Sequence, residues 1–240
     1  MPSHPFGFRR STFRRLGGPA IDDKMRQRMA EWFRCTNWNE QNEAQFFRRL
    51  KCARHQRPQY VVIQALTLVH TGRRDLAEPA LSLIELFFQD HYEQFVAGRA
   101  FSVKARALVM LERWEDAFQA FEEALQTRRV MPYIVDDSWL EYPLTIARRR
   151  ARERYRRALT VLKEFLTPGA LIFPLQQMQY FATLALICAD EGDREGAKRW
   201  AQNALAAAAK PGPFSRHPDV GIVGFNYADL QMDLEQLAGD

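Results

Sequence analysis

The sequence predicts an all-α protein built as a stack of antiparallel helical hairpins. Three observations carry that reading. Helix formers such as Ala, Leu, Arg, Glu and Gln dominate, and long Val/Ile/Thr alternation is absent, so few or no strands are expected. Apolar residues recur at helical spacing along most of the chain, interrupted by Gly, Pro and capping residues. A small anchor residue returns about every 40 positions: Ala77, Ala117, Ala158 and Ala197 lie 40, 41 and 39 residues apart.

Composition bounds the answer. A chain of 240 residues buries a sizeable core, as one elongated domain or two small ones. With 47% apolar and 26% charged residues it reads as an ordinary soluble globular protein. The net charge of +5 is compatible with nucleic acid or an anionic surface without pointing to either. Three cysteines, Cys35, Cys52 and Cys188, are an odd number at long spacing, which fits a reducing compartment better than a disulfide framework. The richest apolar run, Phe181 to Ala189, is far short of the ~18 residues a transmembrane helix needs. A cytoplasmic protein with no transmembrane segment is expected.

Residues 1–20 form a basic arm, with four arginines, no acidic residue and a Gly17-Gly18-Pro19 exit. The composition fits a flexible, disordered basic tail, an arm that packs through Phe6, Phe8 and Phe13, or a mitochondrial presequence, which would direct the chain to the matrix. Residues 21–56 hold two N-terminal capping helices. Asp22-Asp23 caps the first, with Met25, Met29, Trp32 and Phe33 on one face, and the second fits Glu40 to Arg54.

The repeat region, 58–209, follows. Pro58 starts a helix that Gly72 breaks, and Asp75 to Glu78 reads as a capping box for its partner. Helices are then expected at about 92–111 and 114–128, and a continuous helical pattern from Pro143 to Leu166. The loop around Asp136, Asp137 and Ser138 precedes that pattern. Pro174 starts another helix, Gly192-Asp193 makes a turn, and 194–209 returns. Residues 210–240 give a loop and a capping helix that Asn226 can begin.

Ala65, Ala105 and Ala185 each fall twelve residues before an anchor alanine, and Gly72 and Gly192 fall five before. Crossing helices need small residues at their contact, and a turn tolerates Gly in the left-handed region. Over 58–209 the chain resembles the tetratricopeptide repeat (TPR) family, with Ala105, Trp114, Ala117, Phe121 and Ala124 as the best matches. The last unit departs at Ala201, the first at Leu81, and the unit around Ala158 lacks a turn residue, leaving open one long helix there. The period also exceeds the usual ~34 residues. The resemblance implies a right-handed stack of three to four hairpins, capped at both ends. It also implies a non-enzymatic scaffold that takes a protein or peptide on the face lined by the first helices, with Gln64, Lys104 and Arg106 in that groove.

The second feature is a run of seven arginines in ten residues: Arg148, Arg149, Arg150, Arg152, Arg154, Arg156 and Arg157. On a helix they would surround a stripe of Ala147, Ala151, Tyr155, Ala158, Leu159 and Leu162. One reading is a solvated face whose charges meet Asp136, Asp137 and Glu141. The other is an anion-binding ridge for RNA, a ribonucleoprotein or another polyanion. Cys35, Cys52 and His55 fit no common zinc spacing, so no metal or cofactor is expected. Gly17-Gly18 lacks the Lys-Ser/Thr of a phosphate loop, no nucleophile has a His and carboxylate at recognisable spacing, and no catalytic residue is assigned. His70 and His91 sit near helix ends, where they can bond terminal carbonyls. Ala117 is expected to pack between helices and Ala120 to face outward.

Overall fold

Ten α-helices and three short 3-10 turns, with no strand, make up the described residues of the computed structural model, 32–133 and 136–239. From Phe33 onward the chain is one unit. The basic arm and the first expected helix lie outside the described residues, apart from the latter's last positions, Trp32 and Phe33.

Helix α1 (Glu40–Cys52) starts where Asn39 accepts the Asn42 N–H at 2.9 Å. Glu40 and Glu43 in its first turn and Arg49 and Lys51 in its last complement the helix dipole. Four helical hairpins follow: α2 (Arg57–His70) with α3 (Ala77–Asp90), α4 (Gln94–Met110) with α5 (Trp114–Val130), α6 (Ser138–Arg149) with α7 (Tyr155–Phe165), and α8 (Pro174–Glu191) with α9 (Arg194–Ala208). Each hairpin touches the next: α2 and α3 pack on α4, α5 on α6, and α6 on α8. The last helix, α10 (Ala228–Gly239), closes on α8 and α9 by burying Leu230 and Leu234 against Met178, Ala182, Ala201 and Ala204.

The four turns inside the hairpins share one device. Gly72, Glu112, Arg150 and Gly192 all have positive φ (70°, 60°, 55° and 87°). At three of them the left-handed residue closes its helix with two backbone bonds: Glu112 N–H to Val109 and Arg113 N–H to Leu108, Arg150 N–H to Ala147 and Ala151 N–H to Ile146, Gly192 N–H to Ala189 and Asp193 N–H to Cys188. This pairing satisfies carbonyls that a helix end otherwise leaves open.

These turns correct the sequence reading of the third unit. The helical pattern from Pro143 to Leu166, open to one helix or two, is two helices, because Arg150 takes the left-handed conformation without being glycine. Counting five residues on from each turn gives Ala77, Ala117, Tyr155 and Ala197, so the third anchor is Tyr155 and not Ala158. Ala158 is buried in register with Ala80 and Ala120. Seven residues before the turns stand Ala65, Ala105, Pro143 and Ala185, all buried, so a proline fills the place of the missing small residue inside α6.

Two further expectations fail. No side chain caps α3: Asp75 is taken by Arg73, and a 3-10 turn at Arg74–Leu76 leads into the helix. Ala120 faces inward at 3% exposure, because α5 is covered by both α4 and α6 and buries Ala117, Phe118, Ala120, Phe121, Ala124 and Leu125.

Candidate functional site

Successive hairpins are joined by arginine–carboxylate pairs. Arg74 meets Glu112, Arg106 meets Glu141, Arg129 meets Glu164, Arg152 meets Asp190, Arg154 meets Glu115 and Arg157 meets Glu122. The partners are always 35 to 39 residues apart, one structural repeat. Four of these guanidinium groups reach their carboxylate through two nitrogens, the planar geometry in which arginine pairs best. Burial alone would raise the Glu122 pKa, but its bonds to Arg157 outweigh that and lower it. Hydrogen bonding from Arg152 holds Asp190 down at about 2. Tyr155, which donates to the same carboxylate at 2.9 Å, is pushed up to about 12 by burial and then by Asp190.

The first helices of the hairpins meet along a polar seam. Arg106 on α4 donates to Glu141 on α6 at 2.7 Å and, from Nη1, to His70 Nε2 on α2 at 2.8 Å. An imidazole nitrogen that accepts from a guanidinium carries no proton. Burial of the ring, and then the Arg106 cation, push His70 down to about 4. Burial opposes the charge on Arg106, and Glu141 more than offsets it, so its pKa rises. Ser102 and Ser138 share a short hydrogen bond beside this pair, and Asp136 accepts the Ser138 N–H at 2.8 Å. Further along, Gln176 donates to Asp137 at 2.9 Å and accepts the Phe173 N–H, while Gln179 donates to Tyr227 Oη at 2.8 Å. Burial, and then the Glu141 carboxylate, raise Tyr227 to about 12.

The structure does not bring Gln64, Lys104 and Arg106 into one groove. Gln64 is fully buried, and its amide clamps the backbone of Cys35, accepting from its N–H at 2.9 Å and donating to its carbonyl at 2.7 Å. Arg106 is committed to the seam. Lys104, two residues away and so about 200° around the helix, opens on the other side. There it lies in a cleft of about 460 Å³ floored by α4 and walled by α3 and α5, with Leu81, Glu85, Phe101, Leu108 and Gln119 around it. Lys104 makes no hydrogen bond or ion pair among the described residues.

The seven arginines are not one ridge. Arg148 and Arg149 end α6, Arg150 is the turn, Arg152 and Arg154 lie on a 3-10 turn, and Arg156 and Arg157 begin α7. Their intramolecular partners are Glu115, Glu122, Glu153 and Asp190, and the rings of Trp114 under Arg149 and Phe118 under Arg154. The expected partners serve elsewhere, Glu141 with Arg106, Asp137 with Gln176 and Asp136 with Ser138. Leu159, assigned to the buried stripe, is 40% exposed because the break in the helix rotates it outward.

Cys35, Cys52 and Cys188 are free thiols, and no group of three His, Cys, Asp or Glu able to hold a metal occurs among the described residues. His70 bonds no carbonyl with its ring. No helix among the described residues is long and apolar enough to cross a membrane. No family model, no curated protein and no solved structure matches this chain. The Arg106–Glu141–Tyr227 cluster escaped the sequence reading. Opposite charges one repeat apart, such as Arg106 and Glu141 or Arg129 and Glu164, were the available signal.

Proposed function

We propose that this protein is a non-enzymatic, TPR-like scaffold, a right-handed stack whose hairpins present a groove to a short segment of a protein partner. The observation that supports it is the constant 35-to-39-residue offset of the inter-hairpin ion pairs. The chain spends its buried and half-buried charges on holding one hairpin at a fixed angle to the next, as a binding scaffold requires. The cleft around Lys104 is the groove this reading favours. Phe101 offers an apolar floor, Lys104 is a cation with no partner among the described residues, and Glu85 and Gln119 are exposed at the rim. A partner segment would set one or two apolar side chains over Phe101 and a carboxylate on Lys104.

Photo-crosslinking tests it. A crosslinking amino acid at Gln119, beside the cleft, should capture a discrete protein from a native lysate, with nuclease treatment making no difference. The same probe at Met232, 60% exposed on α10, should not capture it. Equal capture at both positions, or loss of the product on nuclease treatment, defeats the reading.

A further inference from the structure

Of the seven clustered arginines, four have a partner within the molecule: Arg152, Arg154 and Arg157 each meet a carboxylate, and Arg149 lies over the Trp114 ring. The side chains of Arg148, Arg150 and Arg156 make no hydrogen bond, ion pair or ring contact among the described residues, and all three are exposed. Arg150 is the most telling. Three non-glycine residues have positive φ: Gln56, Glu112 and Arg150. Gln56 accepts the Tyr60 hydroxyl at 3.0 Å and Glu112 accepts Arg74 at 2.7 Å, so each side chain has a use in the fold. The Arg150 side chain makes no such bond and adds only a longer-range attraction to Asp190, the last and smallest of the causes that hold that carboxylate down, and the equivalent turns at Gly72 and Gly192 use the residue that takes this conformation without cost. The nearby Asp190 is already filled by Arg152 and by the Tyr155 hydroxyl.

From this we infer that Arg148, Arg150 and Arg156 form a docking site for a short acidic segment of a protein partner, a stretch of Asp or Glu side chains. The inference rests on the scaffold reading and assigns the partner's charge at a second place on the molecule. Arginine's planar fork matches carboxylates, as the bidentate Arg157–Glu122 pair on the same helix shows. The surroundings limit the length of the ligand. Glu153 stands within the run, and the next turn carries Glu191, Asp193 and Glu195, all exposed. A nucleic-acid backbone carries its phosphates on past the arginines, where these carboxylates repel it, whereas a segment with two or three carboxylates ends its charge at the arginines.

The probe is a fluorescein-labelled peptide with three consecutive glutamates between Gly-Ser flanks, titrated by anisotropy at low salt against the full-length protein and an R148Q/R150G/R156Q variant. The N-terminal arginines are the same in both proteins, so the difference reports the turn. Affinity should fall about tenfold or more in the variant, the sum expected of three exposed charge pairs. Thermal stability should hold or rise, because glycine relieves the left-handed turn. Equal affinity of the two proteins, or no binding by the wild type, overturns the site. A labelled oligothymidylate that binds more tightly than the peptide, and loses more in the variant, overturns the choice of a protein ligand. If the triple variant melts lower than wild type, R150G alone and R148Q/R156Q decide separately, and unchanged peptide affinity in both rejects the proposal. None of these outcomes depends on the cleft at Lys104, so crosslinking at Gln119 stands or falls on its own.

Discussion

His70 shows how a single residue links the hairpins to pH. Its ring accepts from Arg106 and is neutral in the fold, with a pKa of about 4 in place of the ordinary 6.5. Between those values the unfolded chain binds a proton that the folded chain refuses. The contribution is therefore complete above about pH 6.5 and lost as pH falls toward 4. Denaturant midpoints should drop across this window. His70→Gln keeps an acceptor for Arg106 but does not titrate, so its midpoint should match wild type at pH 7 and fall less by pH 4.5. An identical fall in both proteins would assign the acid sensitivity to other groups. The stability Asp190 contributes, with its pKa held at about 2 instead of 3.8, is complete above about 3.8 and is lost only as pH falls toward 2, so the two windows separate.

At the scale of elements, the hairpin is defined by its turn and by the anchor five residues beyond it. Ala117 is fully buried where α5 crosses α4. Ala117→Trp should overpack that contact and cost ~1–3 kcal/mol by chemical denaturation. Gln119→Arg, on the exposed side of the same helix, should cost almost nothing, and comparable losses would reject the assigned faces. Most of this was legible in the sequence where the turn residue was glycine, since Gly72 and Gly192 announce a left-handed position. Glu112 lacked that signal, but Trp114, Ala117, Phe121 and Ala124 supplied the pattern around it. Arg150 had neither. Its turn is made by backbone bonds from Arg150 and Ala151, which no composition rule reports, and Pro143 and Tyr155 stand where the other units have alanine. That is why the sequence left open whether 143–166 is one helix or two. The ion pairs were hidden for a different reason: they join side chains a full repeat apart, and the register that aligns them comes only from the turns.

At the scale of the whole molecule, the C-terminal segment acts as a strap over the last hairpin. After α9 the chain runs through exposed residues 213–220, returns at Gly221, sets Tyr227 against Gln179, and lays α10 on α8 and α9. Gly221 is its pivot. Its carbonyl accepts the Leu175 N–H at 2.9 Å, its φ is +74°, and an added Cβ would lie 2.1 Å from Phe173 Cδ1. Gly221→Ala must therefore bear a left-handed alanine, costing ~1–2 kcal/mol, and must also displace either Phe173 or the strap. Leu230 and Leu234 anchor the far end of the strap, with Leu237 and Ala238 packed beside them, but residues 213–220 between α9 and the pivot are exposed, so the weaker side is the strap itself. The variant should keep its far-UV helical signal while backbone amides of 211–239 exchange faster with solvent than in wild type, the behaviour of a local opening whose free energy lies below that of global unfolding. Faster exchange spread evenly over all four hairpins would mean that the strap and the repeats unfold together.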